Sequence, residues 1–232
     1  MKYLSIASFI LATAMNLHGA IWTVDNVTSR PADFRTIQAA IDATAVGDTL
    51  MIAGSPDAYS GFILTKRLNI KGPGNTFFGG QAKVGQAELS SVTDLLSPDY
   101  GRDASGTLLE GISFSSQLYV SVPFVTVKRC MHTSSQGSIS AQESNIVVDS
   151  CWFSWLSIHG PNSIVVGCRI ESQLQIYALQ VSVDNCTIGN STGSPIITSN
   201  NPTFRNTILI SNSAVGTTPY SGATFDHCMA IG

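Results

Sequence analysis

The sequence predicts an all-β chain wound as a right-handed, single-stranded parallel β-helix, a solenoid with one short N-terminal capping helix. Three observations lead there. First, one pattern returns through the second half of the 232 residues: Phe124-Val-Thr-Val-Lys-Arg-Cys130, Asn145-Ile-Val-Val-Asp-Ser-Cys151, Ser163-Ile-Val-Val-Gly-Cys168 (read as one residue shorter) and Gln180-Val-Ser-Val-Asp-Asn-Cys186. It continues as Asn201-Pro-Thr-Phe-Arg-Asn-Thr207 and Gly222-Ala-Thr-Phe-Asp-His-Cys228, with an earlier copy at Thr107–Ile112. The last residues of the copies, 112, 130, 151, 168, 186, 207 and 228, are 17 to 21 residues apart. Second, each copy alternates apolar and polar over three to five residues, which is the signature of a strand with one face buried. Third, a second short alternating run lies about halfway to the next copy, as in Leu118-Tyr-Val120, Leu156-Ser-Ile158 and Leu174-Gln-Ile176, and no room is left for a helix. Several short strands in a period of about 20 residues make one coil of a solenoid, which needs its neighbours to bury its apolar row. Parallel crossovers are right-handed, so the coil should be too.

Taken from the N-terminus, residues 1–20 read as a signal peptide. Met1 and Lys2 open a minimal positive region, Tyr3 to Met15 are uncharged and mostly apolar, and Gly19 and Ala20 offer a cleavage zone. The apolar run falls short of the ~20 residues that span a bilayer, so the mature chain is expected to be secreted, with no membrane span. Extracellular, cell-surface and periplasmic locations all fit. The β-helix domain is expected to occupy 21–232. Within it, residues 21–47 form an N-terminal cap, because Ile37, Ala40 and Ile41 sit at helical spacing behind Thr36 as N-cap. Such a helix covers the open backbone and apolar core at a solenoid's end. Gly47-Asp48 then turns the chain into the strand Thr49–Ile52. Phe62–Ile70 follows as a further alternating segment, broken by Gly72-Pro-Gly74. Residues 75–104 interrupt the pattern and read as an inserted loop, and 105–232 as regular coils.

Stacked coils set equivalent residues ~4.8 Å apart, so the final residue of each copy should form one interior file. Four of the five cysteines fall in the unbroken run of that file, and Cys228 rejoins it after Thr207. Disulfides are the competing reading in a secreted chain. The odd count and the separation of in-register Cβ atoms, wider than the ~3.8 Å a disulfide prefers, favour free buried thiols.

The segment Phe34-x-Thr-Ile-Gln-Ala-Ala-Ile-Asp-Ala43, with Gly47-Asp48-Thr49 and Lys66-x-Leu-x-Ile70-x-Gly72, resembles the opening of many bacterial members of the pectin lyase-like superfamily. With the repeats, the resemblance covers roughly residues 34–230. It implies the fold and leaves the activity open, since that superfamily includes lyases, hydrolases, esterases and adhesins. The esterase signatures of the superfamily (a Gln-Asp pair, an Asp-Phe-Ile-Phe-Gly-like strand, a Gly-Arg-Pro-Trp loop) do not occur here. The acidic calcium-binding cluster of the pectate lyases has no close match.

Charged residues are only 12% of the chain and the formal net charge is −3, so nothing suggests a nucleic-acid partner. Two outward columns could hold a ligand. One, just after the interior file, contains Met131, Trp152, Arg169, Thr187, Ile208 and Met229; Trp152 and Arg169 should be neighbours, with Trp155 and Tyr119 close by. An aromatic face beside a guanidinium can stack on a sugar ring and pair with a carboxylate. The other, just before the file, collects Lys128, Asp149, Asp184, Arg205 and Asp226, with Gly167 in the shortened coil. Asp149 and Asp184 would lie ~10 Å apart, too far to share a calcium ion at 2.3–2.6 Å per ligand. The ligand-binding candidates are therefore Trp152, Arg169, Tyr119, Asp149 and Asp184, with no catalytic residue and no metal ligand assigned. The expectation is a non-catalytic module that binds a polysaccharide or a cell-surface protein through a sheet face, without a cofactor. The alternative is a lyase or hydrolase of acidic polysaccharides, with calcium as a candidate cofactor under the lyase reading alone.

Overall fold

The computed structural model describes residues 19–74, 81–85, 87–89, 103–132, 138–190, 196–198, 200–211 and 222–231. The segment read as a signal peptide, apart from Gly19 and Ala20, lies outside them. The chain is a parallel β-solenoid that is nearly all β. Among the described residues, ten strands form the first sheet in the order Ile21–Val24, Thr49–Ile52, Asn69–Lys71, Leu108–Glu110, Thr126–Lys128, Val147–Asp149, Ile164–Val166, Ser182–Asp184, Thr203–Arg205 and Thr224–Asp226. Every pairing in it is parallel and in register. The second sheet takes two short strands from most coils, for example Ser113–Phe114 and Leu118–Val120. In the middle of the stack these fuse into the long strands Trp152–Ile158 and Arg169–Ile176.

Alternation decides what is inside. Leu50, Ile70, Leu109, Val127, Val148, Val165, Val183 and Phe204 are the central residues of successive strands in the first sheet, and all are fully buried in one file. Burying each such side chain is worth about 1.5–3 kcal/mol. At the far end Phe204 stacks on Phe225, with centroids 4.9 Å apart. The cysteine file forms as expected. Backbone N–H groups following Cys130, Cys151, Cys168 and Cys186 each donate to the preceding residue of the file, Trp152 N to Cys130 O at 3.0 Å being typical. All five thiols are free, four of them buried and Cys228 partly so.

The corners come from residues with positive φ. Gly111, Arg129, Ser150, Gly167, Asn185, Asn206 and His227, each just before the cysteine file, have φ between 49° and 66°. A second such set, Gly106, Phe124, Asn145, Asn162, Gln180 and Gly222, turns the chain into the first sheet. In this left-handed region the N–H points the other way along the stack. Arg129 N donates forward to Asp149 O, Ser150 N to Val166 O and Asn145 N to Pro161 O, whereas strand N–H groups donate back to the previous coil. Each coil is thus bonded to both neighbours.

The register corrects two readings. The copy ending at Cys168 is not one residue short: Asn162, at φ 58°, matches Asn145, and Ser163 is the next residue, not the first. Gly167 therefore belongs to the positive-φ corner, and Val166 fills the charged column between Asp149 and Asp184. Within 75–104, Lys83–Val84 and Ala87–Leu89 are strands of the second sheet, pairing with Ser113–Phe114 and with Phe62–Leu64 and Leu118–Val120. Residues 83–84 and 87–89 of that segment are therefore part of the solenoid wall; Asp94, Asp99 and Arg102 lie outside the described residues. Phe62–Ile70 divides between the two sheets. Phe62–Leu64 joins the second sheet and Asn69–Lys71 the first, with a corner between them.

The helix Ile37–Ala43 caps the N-terminal end as the spacing predicts. The Thr36 hydroxyl accepts from Ala39 N, and Ile37, Ala40 and Ile41 are buried. At its other end the buried Lys66 ammonium donates to Thr44 O at 2.7 Å, a cation at a helix C-terminus. Asp48 fastens the first strand to this cap. Its carboxylate accepts from Ala20 N (2.7 Å), Trp22 Nε1 (2.9 Å) and Ala45 N (2.9 Å).

Candidate functional site

Outward residues of the strands and corners build a groove where the first sheet turns into the second. Trp152 begins the strand Trp152–Ile158, pairs in register with Met131 before it and Arg169 after it, and keeps 38% of its surface exposed. The Arg169 guanidinium lies over the Trp152 ring, 5.2 Å from its centroid, and pairs with Glu171 at 3.3 Å. Such a cation–π contact is worth about 0.5–1 kcal/mol at an exposed site. It also fixes the guanidinium beside the ring. The expected Trp152–Arg169 pair is therefore present.

The groove extends from Trp152 towards the N-terminal coils. It has a volume of 680 Å³ and is lined by Met51, Lys71, Glu110, Arg129, Met131, Ser150 and Trp152, with Gly72-Pro73-Gly74 along one rim. Glu110 sits between two cations, bonded to Arg129 and 3.8 Å from Lys71 Nζ. Among the charged lining residues Lys71 and Arg129 outnumber Glu110 by two to one, and the Arg169–Glu171 pair lies beside them. The groove thus combines a partly exposed indole with a small cationic excess, in a protein that is acidic as a whole.

Sequence reasoning missed Lys71, Glu110 and Arg129. The signal was available in part. Lys71, Glu110, Lys128 and Asp149 are one in-register column of alternating sign, but its first two members lie on either side of residues 75–104, across which no repeat was visible.

The remaining candidates lie elsewhere. Asp149 and Asp184 are on the first sheet, around the corner from Trp152, with Val166 between them. Asp149 accepts from Ser150 Oγ at 2.7 Å and pairs with Lys128 at 3.0 Å; these two partners hold its carboxyl below the usual carboxylate range. Asp184 accepts from Asn206 Nδ2 at 3.1 Å. Both carboxylates are thus engaged with neighbours and set apart from each other. Tyr119 stands in a different column of the second sheet, in register with Glu88, Ser140, Ser157 and Gln175, and does not join Trp152. His132 is buried and bonds to Ser116 O at 2.9 Å. Among the described residues, no three His, Cys, Asp or Glu side chains are grouped so as to hold a metal ion. Among them, too, no helix is long and apolar enough to cross a membrane.

Comparison of the chain with protein-family models, with curated proteins and with solved structures found no match in any of the three.

Proposed function

We propose that this protein is a secreted or cell-surface β-solenoid module that binds an acidic polysaccharide without degrading it, and that the corner groove is the binding site. The single observation behind this reading is the Trp152 ring held against Arg169 at one end of a groove that also contains Arg129 and Lys71. A pyranose presents an apolar C–H face that covers an indole, and a uronate carboxylate presents two oxygens that match a guanidinium fork. The groove runs across coils, so an extended chain laid in it meets the cations of successive turns. The carboxylates nearby are engaged by cations, Glu110 by Arg129 and Lys71 and Asp149 by Lys128, which favours holding over proton abstraction. The resemblance of the opening segment to pectin lyase-like proteins agrees with a glycan ligand, and an apolar N-terminal leader agrees with a ligand met outside the cell.

Native electrophoresis through gels containing polygalacturonate or alginate tests this. The wild-type chain should be retarded, and Trp152→Ala and Arg129→Ala should each weaken retention about tenfold, the value of ~1.4 kcal/mol of lost contact. Migration unaffected by either polymer, or equal retention of Trp152→Ala, would remove the groove from the function. Release of unsaturated products, followed by ultraviolet absorbance with and without calcium, would overturn the non-degrading reading in favour of a lyase.

A further inference from the structure

We propose that the outward face of the second sheet holds a second site, separate from the corner groove, that takes an uncharged, extended polysaccharide on Trp155. In a regular strand Trp152 and Trp155, three residues apart, would point to opposite faces. A register shift between Phe153 and Trp155 resets the alternation, so both indoles face outward, in different columns of the sheet. Trp155 keeps 44% of its surface exposed. Its in-register neighbours are Ser138 in the coil before and Gln173 in the coil after. The adjoining column runs Ser140, Ser157, Gln175.

Small serines beside a large ring leave a depression. It measures 520 Å³ and is lined by Gln117, Ser138, Ser140, Trp155, Ser157 and Gln175, with no charged side chain among the lining residues. Its polar groups are already oriented by one another. Gln142 Nε2 donates to Ser140 Oγ at 2.6 Å, Gln175 Nε2 donates to Gln173 Oε1 at 2.9 Å, and Ser157 Oγ lies 2.7 Å from His159 Nε2. A carboxamide has two N–H donors and an acceptor oxygen, so the Gln175 amide keeps capacity for a ligand hydroxyl after its bond to Gln173.

These features select the chemistry of the ligand. A charged sugar placed here would lose hydration with no opposite charge to replace it. A neutral sugar exchanges water for hydroxyl and amide partners and covers the indole with its C–H face. The ~4.8 Å rise between coils is close to the length of one sugar in an equatorially linked, extended chain. Such a chain laid along the stack therefore meets Ser140, Ser157 and Gln175 at successive residues. The corner groove, with Lys71, Arg129 and Arg169, has the opposite preference, so this inference does not rest on the acidic ligand proposed for it.

Affinity electrophoresis of the full-length chain in gels containing hydroxyethyl cellulose or galactomannan, beside gels containing polygalacturonate, tests it. Trp155→Ala should abolish retardation by the neutral polymers and leave retardation by polygalacturonate at the wild-type level; Trp152→Ala should weaken retardation by polygalacturonate about tenfold and leave retardation by the neutral polymers unchanged. Gln175→Leu, which keeps the volume and removes the amide, should weaken neutral binding about tenfold. Circular dichroism establishes that each variant is folded. The inference is overturned if neither neutral polymer retards the wild-type chain, if Trp155→Ala is retarded like wild type, or if each substitution abolishes both kinds of binding, which would mean one shared site. A wild-type chain retarded by the neutral polymers but not by polygalacturonate refutes the corner groove and leaves this site standing.

Discussion

Replacing Gly167 tests the positive-φ corner as a determinant of the fold. Gly167 has φ 62°, and a Cβ built there would come no closer than 3.4 Å to any neighbouring atom, the nearest being Ser150 Oγ. Nothing has to move to accommodate a methyl group, so the cost of Gly167→Ala is that of holding an L-residue in the left-handed region, about 1–2 kcal/mol. The reduced freedom of the unfolded chain offsets roughly 0.5 kcal/mol of this, leaving a net loss of about 1 kcal/mol. Valine, branched at Cβ, should lose about 2 kcal/mol. Asparagine should lose the least, because Asn185 and Asn206 hold the equivalent corner in the next two coils at φ 52° and 49°. In urea, 1 kcal/mol moves the midpoint by about 0.4 M for an m-value near 2.5 kcal/mol/M. Gly160→Ala is the contrast. There the added Cβ would lie 1.8 Å from Glu143 O, a collision with backbone, and the loss should exceed that of Gly167→Val. Equal midpoints for the Ala, Val and Asn variants at 167 would refute the account of the corners.

Three further outcomes follow from the cap, the thiols and the charged column. Asp48→Asn should destabilise the chain by about 2 kcal/mol at neutral pH, because it weakens three bonds to a buried acceptor. Burial disfavours the Asp48 anion, but the N–H groups of Ala45, Trp22 and Ala20 outweigh it and hold the carboxyl below its ordinary value. Its contribution should therefore be complete above pH ~4 and disappear as pH falls through the lowered value, so wild-type and Asp48→Asn stabilities converge in acid. In the folded chain one thiol should react with an aromatic disulfide reagent, and five after denaturation; Cys228→Ser should abolish the native reaction. Burial pushes the Cys151 thiol up, so rapid labelling there would contradict the packed file. A double-mutant cycle on Lys128 and Asp149, 3.0 Å apart but partly exposed, should give no more than about 1 kcal/mol by urea unfolding, and less in high salt.

The interior file was legible because one residue type recurs at one offset: cysteine at 130, 151, 168 and 186 leaves little choice of register. The outward column with Trp152 and Arg169 follows from that file by alternation alone. The corners were hidden because many residue types fill them. Gly or Asn stands there at 111, 167, 185 and 206, but Arg129, Ser150 and His227 share the positive φ without that signature and obscured the position. That same blindness misplaced Gly167 and shortened its copy of the repeat by a residue. The strands Lys83–Val84 and Ala87–Leu89 are too short for alternation to identify, and no cysteine fixes their phase. Glu110 and Lys71 became neighbours only through the pairing of Asn69–Lys71 with Leu108–Glu110, a contact across 39 residues of chain.

Because both bends of each coil donate forward while the strands between them donate back, a coil presents the same bonding edge to whatever coil lies on either side. A whole coil can therefore be gained or lost in evolution without redesigning its neighbours, provided that the two bends are kept in step. Each such event would lengthen or shorten a ligand path along the stack by ~4.8 Å, about one sugar. Reach could thus be adjusted by duplication, while selectivity changed through single outward substitutions.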